Sequence, residues 1–408
     1  MLFLNLKIRR IMLKNKVLIL SEIKPDKNNN GATFIINRCK RIKERFELDL
    51  YSFNYYSNNH LLSKIKRYSK RKNIYIEDLK WNFINEENNF IKIIIKKITK
   101  YFYLKNKEKK IINLLKKKSY DIIHVHYAFP NAIIAKRIKE IYGIPYVVTC
   151  HGSDINIYLK EKKYKKDMIN ALNSANKVIF VSKKLMETAI EYGYKNKNSE
   201  VIYNGIDNDL FNLINLEKQL DLKQSLNLPI NKKIIGFVGN LEYVKGADRL
   251  PKIFYYINKF NKDIQYIVIG EGFFKDQIIN NIKDYGIKCE FTGRIDQKKV
   301  SNYMKCMDLL VVPSRDEGFG NVIIEALACG TQVVATNVGG IPEAIIKDDN
   351  NLIEDDINFE MNIANTILKK VNLNVDETII STINKSFTWN EIVKKEIEIY
   401  SDILSEDK

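Results

Sequence analysis

DLLVVPSRDEGFGNVIIEALACGTQVVATNVGGIPEAI, residues 308–345, decides the fold. Two short β-branched runs, 308–313 and 332–336, each stop at a loop rich in glycine or proline. An apolar helical pattern starting near Asn321 separates them. Strand, helix, strand in that order is the repeat of a parallel sheet covered by helices. In open parallel sheets ligands bind beyond the carboxyl ends of the strands, so the loops that start at Pro313 and Thr336 are where chemistry is expected.

The same alternation extends outward almost to both ends. Further strands are expected at 233–239, 264–269 and 288–292 in the second half, and at 16–20, 46–53, 120–126, 145–150, 177–182 and 200–203 in the first. A chain of 408 residues exceeds what one hydrophobic core usually fills. The reading is therefore α/β, with two doubly wound Rossmann-like units in series. The pattern lapses into an Asn/Leu/Lys-rich connection ending at Pro229, which sets the expected boundaries. They are an extension over 1–13, a first domain over 14–210, a linker over 211–230, a second domain over 231–385, and a C-terminal helix within 386–408 that packs back on the first domain.

Within the opening stretch, Glu317 sits in a glycine-flanked loop and Glu325 eight residues on, inside the helix. Gly318 and Gly320 let backbone amides near Phe319 approach a ligand closely. Two carboxylates so placed can accept hydrogen bonds from sugar hydroxyls. Glu317 also fits as an acid capping the helix, and Glu325 as a surface residue. In TNVGGIPEAI, residues 336–345, Gly339 and Gly340 lead into a helix with Pro342 in its first turn, an arrangement suited to a diphosphate. GNLEYVKG, residues 239–246, adds Gly239, Asn240 and Lys245 after another strand, offering one cation. In the first half the run 145–150 ends in HGSD, residues 151–154. There His151 can donate to a substrate oxygen, and Asp154 can accept from an acceptor hydroxyl or orient the histidine. His124 and His126, in DIIHVHY, point to one side of their strand; lacking an identifiable third ligand, they read as packing or acceptor contacts rather than a metal site.

Charge is uneven: residues 1–200 hold 43 Lys and Arg against 18 Asp and Glu, and residues 201–408 hold 24 against 31. A basic half suits an anionic partner or a solvated surface. Ile91, Ile94, Ile95, Ile98 and Phe102 line one face of a lysine-rich helical pattern, which would cover the first sheet or rest on anionic lipid headgroups. Basic and aromatic residues are not arrayed on a nucleic-acid module, so no nucleic-acid partner is expected. The five cysteines are scattered with no CxxC pair and read as reduced thiols of a cytoplasmic protein. No apolar run is long enough to span a bilayer, so any membrane association would be peripheral.

Taken together, these segments resemble glycosyltransferase family 4, the group 1 retaining transferases. The resemblance rests on the Glu317-x7-Glu325 spacing followed by EALACGTQVVATNVGGIPE, with HGSD and NGID (Asn204 to Asp207) in support. It implies a GT-B architecture, two Rossmann-like domains facing across a cleft, with no metal or other cofactor. The implied reaction moves a sugar from a nucleotide-diphosphate sugar, UDP-sugar first, to a glycan or lipid-linked glycan in cell-surface polysaccharide synthesis. By position, Glu317 with the amides near Phe319 and Gly320 would contact the donor sugar, and Glu325 the ribose. Lys245 with Gly339 and Gly340 would hold the diphosphate, the Arg294 loop would lie against the base, and His151 beside the sugar. Two departures stand out: Asn240 where arginine is frequent, and the single Gly31 in NNNGATF where a glycine pair is frequent. A sugar-nucleotide epimerase or hydrolase, or a basic membrane- or nucleic-acid-binding module, is the alternative reading.

Overall fold

The structure is a computed structural model and describes residues 14–21, 33–52, 104–195, 197–346 and 349–406. The extension 1–13, Gly31 and the helical face from Ile91 to Phe102 lie outside the described residues.

Two six-stranded sheets form, every pairing parallel. The first contains β1 (Lys16–Ser21), β2 (Glu47–Ser52), β3 (Ile122–His126), β4 (Tyr146–Cys150), β5 (Lys177–Phe180) and β6 (Ser199–Val201), in the order β2-β1-β3-β4-β5-β6. The second contains β7 (Lys233–Val238), β8 (Ile264–Ile269), β9 (Cys289–Gly293), β10 (Leu309–Val312), β11 (Gln332–Thr336) and β12 (Leu352–Ile353), in the order β12-β11-β10-β7-β8-β9. Helices cover both faces, which is why the central strands read as continuous apolar runs: all residues of β3, β4, β10 and β11 are buried. The strand order reverses between β1 and β3 in the first sheet and between β7 and β10 in the second. Such switch points open a crevice at the carboxyl ends.

The lobes share an apolar cluster running from Leu18, Val125 and Phe180 to Leu310, Phe319 and Ile341. The last helix, Trp389–Glu406, crosses back onto the first lobe, where Ile392, Val393 and Tyr400 pack with Val17, Ile19 and Ile35. Its Glu396 accepts from Arg38 Nε at 2.6 Å, with neither side chain exposed. The two crossings between lobes run side by side: Ile206 bridges Thr388 in parallel, and Ile206 N donates to Phe387 O at 2.7 Å. That contact explains the glycine of NGID, because a Cβ on Gly205 would lie 2.8 Å from the Trp389 ring.

The expected linker 211–230 is not an open connection. Asn215 caps a helix, Leu216–Ser225, and Gln219 Nε2 donates to Lys305 O at 2.7 Å, tying it to the helix Gln297–Cys306 of the second lobe. Phe211 and Leu228 are buried near the two ends of the segment, but within and just after the helix only Leu222 and Leu226 lean on the core, so the helix itself lacks a strong apolar period. All five cysteines are free.

Candidate functional site

The second lobe's switch point is where the site assembles. The loop after β7 ends in a tight turn, Tyr243–Lys245, and the loop after β10 runs from Pro313 to Gly320. Arg315 stitches them: its guanidinium grips Asp248 at 2.6 and 2.8 Å and lies 3.7 Å over the Tyr243 ring, while its N–H donates to Val244 O. This brings Lys245 Nζ to 2.6 Å from Glu317 Oε1, which also accepts from Ser314 Oγ at 3.2 Å. Glu317 is nearly enclosed, at 11% side-chain exposure, whereas Lys245 keeps 32%. A cation and a carboxylate thus face each other where a ligand phosphate and a ligand hydroxyl could divide them.

The glycine pair sits directly against that loop. Gly340 N donates to Glu317 O at 3.0 Å and Ile341 N to Val338 O at 3.1 Å. These amides therefore hold the protein loop together rather than standing open, and the helix they lead, Ile341–Ile345, is only five residues long. The Gly339–Gly340 helix end therefore offers an anion less than the sequence leads one to expect, because both of these amides are engaged within the protein and a five-residue helix carries little dipole.

On the opposite side of the loop, Gly318 meets the first lobe. A Cβ there would stand 2.1 Å from His151 O, so only glycine lets HGSD and EGFG touch. Asn156 Nδ2 donates to Asp316 Oδ1 at 2.6 Å beside this contact, and burial raises the Asp316 carboxyl against the opposing pull of Lys160. Phe319 is buried and its ring stacks on Tyr203 at 5.0 Å, so it contributes backbone alone to any ligand. Gly320, at φ 92°, turns the chain into the helix Asn321–Ala328.

Glu325 lies half-buried on that helix. Burial pushes its carboxyl up to about 8, with a hydrogen bond from Gln297 pulling the other way. Gln297 begins the helix that follows Arg294, so Glu325 and the Arg294 loop are neighbours. Arg294 and Asn240 are exposed, and Gly239 N donates to Ile269 O at 3.0 Å.

In the first lobe His151 is half-buried between the rings of Phe34 and Tyr127, each at 4.8 Å. Its Nε2 lies 2.9 Å from His126 Nδ1. Burial holds His124, His126 and His151 well below the ordinary histidine range. Asp154 does not take the expected part. It is 1% exposed and its carboxylate accepts from the N–H groups of Ala128 at 2.9 Å, Gly152 at 2.9 Å and His151 at 3.1 Å. The side chain is used up in joining the loops after β3 and β4, leaving it nothing to offer an acceptor hydroxyl or the His151 ring. Burial raises its carboxyl while those three amides oppose. Sequence reasoning missed the contact of His126 with His151, since nothing local signals a meeting across 25 residues. It also missed Glu343, quoted within the glycine-pair motif but not singled out.

Among the described residues, no group of three or more His, Cys, Asp or Glu could hold a metal ion, and no helix is long and apolar enough to cross a membrane.

The family described as Glycosyl transferases group 1 matches residues 218–374, and that described as Glycosyltransferase Family 4 matches residues 89–210. An uncharacterized glycosyltransferase of Methanocaldococcus jannaschii is 30% identical over 332 residues, covering 78% of this chain and 87% of the relative. The N-acetyl-alpha-D-glucosaminyl L-malate synthase of Bacillus anthracis is 28% identical over 308 residues, covering 73% and 79%. Among solved structures, sucrose-phosphate synthase from Thermosynechococcus elongatus superposes with a TM-score of 0.74 at 17% identity, over 96% of this chain and all of that one. Anabaena HepE in complex with UDP superposes with a TM-score of 0.69 at 20% identity, over 95% and 100%. Both share the two-lobed GT-B fold described above.

Proposed function

Because the chain belongs to the group 1 glycosyltransferases, we propose that it transfers a sugar, with retention, from a UDP-sugar to a hydroxyl of a glycan or lipid-linked glycan in cell-surface polysaccharide synthesis. The observation that carries this reading is the 2.6 Å contact of Lys245 with Glu317 at the β7–β10 switch point. A donor entering there separates the pair: Lys245 turns to the diphosphate and Glu317 accepts from the sugar hydroxyls. Breaking the anomeric bond leaves negative charge on the diphosphate and oxocarbenium character on the sugar, so a fixed cation at the leaving group lowers the barrier. In this reading Lys245 carries that task with little help from the short helix at Gly340, and no metal ion is required. Glu325 takes the ribose, the Arg294 loop the base, and His151 stands beside the sugar. The acceptor hydroxyl enters on the face of the departing phosphate. UDP is favoured because HepE, of like fold, is described with UDP bound.

A thermal-shift screen across UDP, GDP, ADP and their sugars tests this, since a ligand bound to the folded state raises apparent stability by mass action. UDP and a UDP-sugar should raise the melting temperature, and Glu317→Ala should abolish the increment due to the sugar. No shift with any nucleotide overturns the reading.

A further inference from the structure

We propose that His126 is a positioning residue that locks His151 in the tautomer carrying its proton on Nδ1, so that the ring nitrogen left for the cleft is a hydrogen-bond donor. The inference rests on the proposed place of His151 beside the donor sugar.

Two neutral imidazoles 2.9 Å apart share one proton, so the tautomer of each dictates the other. If His151 Nε2 carried the proton, His126 Nδ1 would accept it and the His126 proton would sit on Nε2. That atom is buried and has no hydrogen-bond partner among the described residues. The fold would then hold an orphaned N–H, a rarer and costlier fault than an unused lone pair. If His126 donates instead, its Nε2 presents only a lone pair inward. The surroundings favour this second arrangement. The guanidinium of Arg38, fully enclosed and with Nη1 and Nη2 unpartnered among the described residues, adds positive charge whose field reaches all three histidines. A lone pair is at home near that charge and an N–H is not.

His124 supports the geometry without dictating the proton. Its Nδ1 meets Tyr400 Oη and its Nε2 meets Thr149 Oγ1 at 2.7 Å, and hydroxyls can serve either tautomer. Its ring lies 4.5 Å from that of His126, which fixes the plane from which His126 addresses His151. The consequence for the reaction is a sign: His151 donates to a sugar or phosphate oxygen and does not accept a proton from an attacking hydroxyl.

The test is the nitrogen NMR spectrum of the full chain labelled with 15N-histidine and assigned with His126→Asn, whose amide nitrogen replaces the Nδ1 donor. The expected spectrum has a protonated Nδ1 and an unprotonated Nε2 on His151, in the wild type and in His126→Asn alike. His126→Leu should show both tautomers and lower kcat by about tenfold, with KM for the donor little changed, while His126→Asn stays within about threefold of the wild type. A proton on Nε2 of His151 in the wild type, or a single Nδ1 tautomer persisting in His126→Leu, overturns the proposal. Because the spectrum is read without substrate, its outcome is independent of whether any nucleotide sugar binds.

Discussion

Glu343 of the second lobe accepts the backbone N–H of Lys183 in the first, at 2.8 Å. Its other oxygen accepts from Lys184 N at 3.0 Å, and Tyr203 Oη donates to the same carboxylate at 3.1 Å. The acid therefore caps the helix Lys183–Glu191 from across the cleft, adding to the cap that Ser182 supplies from its own chain. Tyr203 in turn stacks on Phe319, two residues beyond Glu317, and burial together with Glu343 pushes its hydroxyl up to about 12. The glycine-pair motif thus joins the Glu317 loop at one end, through Gly340 N, to the opposite lobe at the other.

Removing that cap should loosen the contact between the lobes. Glu343→Ala leaves two helix-start amides and a phenol without their acceptor, a loss of about 1 kcal/mol by the usual scale of capping bonds. The expected outcome is a modest fall in the melting temperature and a raised KM for the donor, while far-ultraviolet circular dichroism stays unchanged. An unaltered KM would show that the contact is incidental to the cleft.

Lys245→Ala and Glu317→Ala address the pair at the switch point. Each should lower turnover by about 10²- to 10³-fold, the range for deleting one group that stabilises developing charge. Lys245→Ala should also weaken UDP itself, whereas Glu317→Ala should spare UDP and weaken only its sugar conjugates. Steady-state transfer assays with and without EDTA check both this and the expected indifference to metal removal.

What could be read from the sequence, and what could not, follows from the range of the interactions. The strands were legible because burial on both faces leaves continuous runs such as Leu309–Val312, and the loops because ligand sites follow strand ends. Lys245 and Glu317 were each visible locally, although their contact spans 72 residues and depends on Arg315 gripping Asp248. The helix Leu216–Ser225 was missed because its partners are polar atoms of a distant helix rather than an apolar stripe. Asp154 was misjudged for a related reason: a carboxylate in a loop after a strand looks like chemistry until its three backbone donors are seen.

Glu325 should give the protein a pH signature. Its folded carboxyl titrates near 8, well above the unfolded value of about 4.3, so the fold favours the neutral form. The stability this contributes is complete below the unfolded value and is lost as pH rises towards 8. Glu325→Gln, which stays neutral throughout, should therefore melt increasingly above the wild type from about pH 4.5 to about pH 8, with a constant difference beyond. Parallel melting curves at five pH values would show it, and a difference independent of pH would refute the raised carboxyl.

Arg38 and Glu396 provide the sharpest stability test, because their ion pair anchors the returning helix with both side chains fully enclosed. Taking two charges out of water is costly, and their attraction offsets that cost only while both are present. Burial raises the Glu396 carboxyl and outweighs the Arg38 charge and hydrogen bond that oppose it. Glu396→Leu alone strands a buried guanidinium and should cost about 3–5 kcal/mol, as should Arg38→Met alone. The double variant, with neither charge and similar volume, should recover most of that loss. Chemical denaturation followed by Trp389 fluorescence in a Trp81→Phe background reports on this helix directly, since Trp389 opens it and lies 5.2 Å from the Arg38 guanidinium. If the double variant is no more stable than the singles, the pair contributes more than mutual neutralisation.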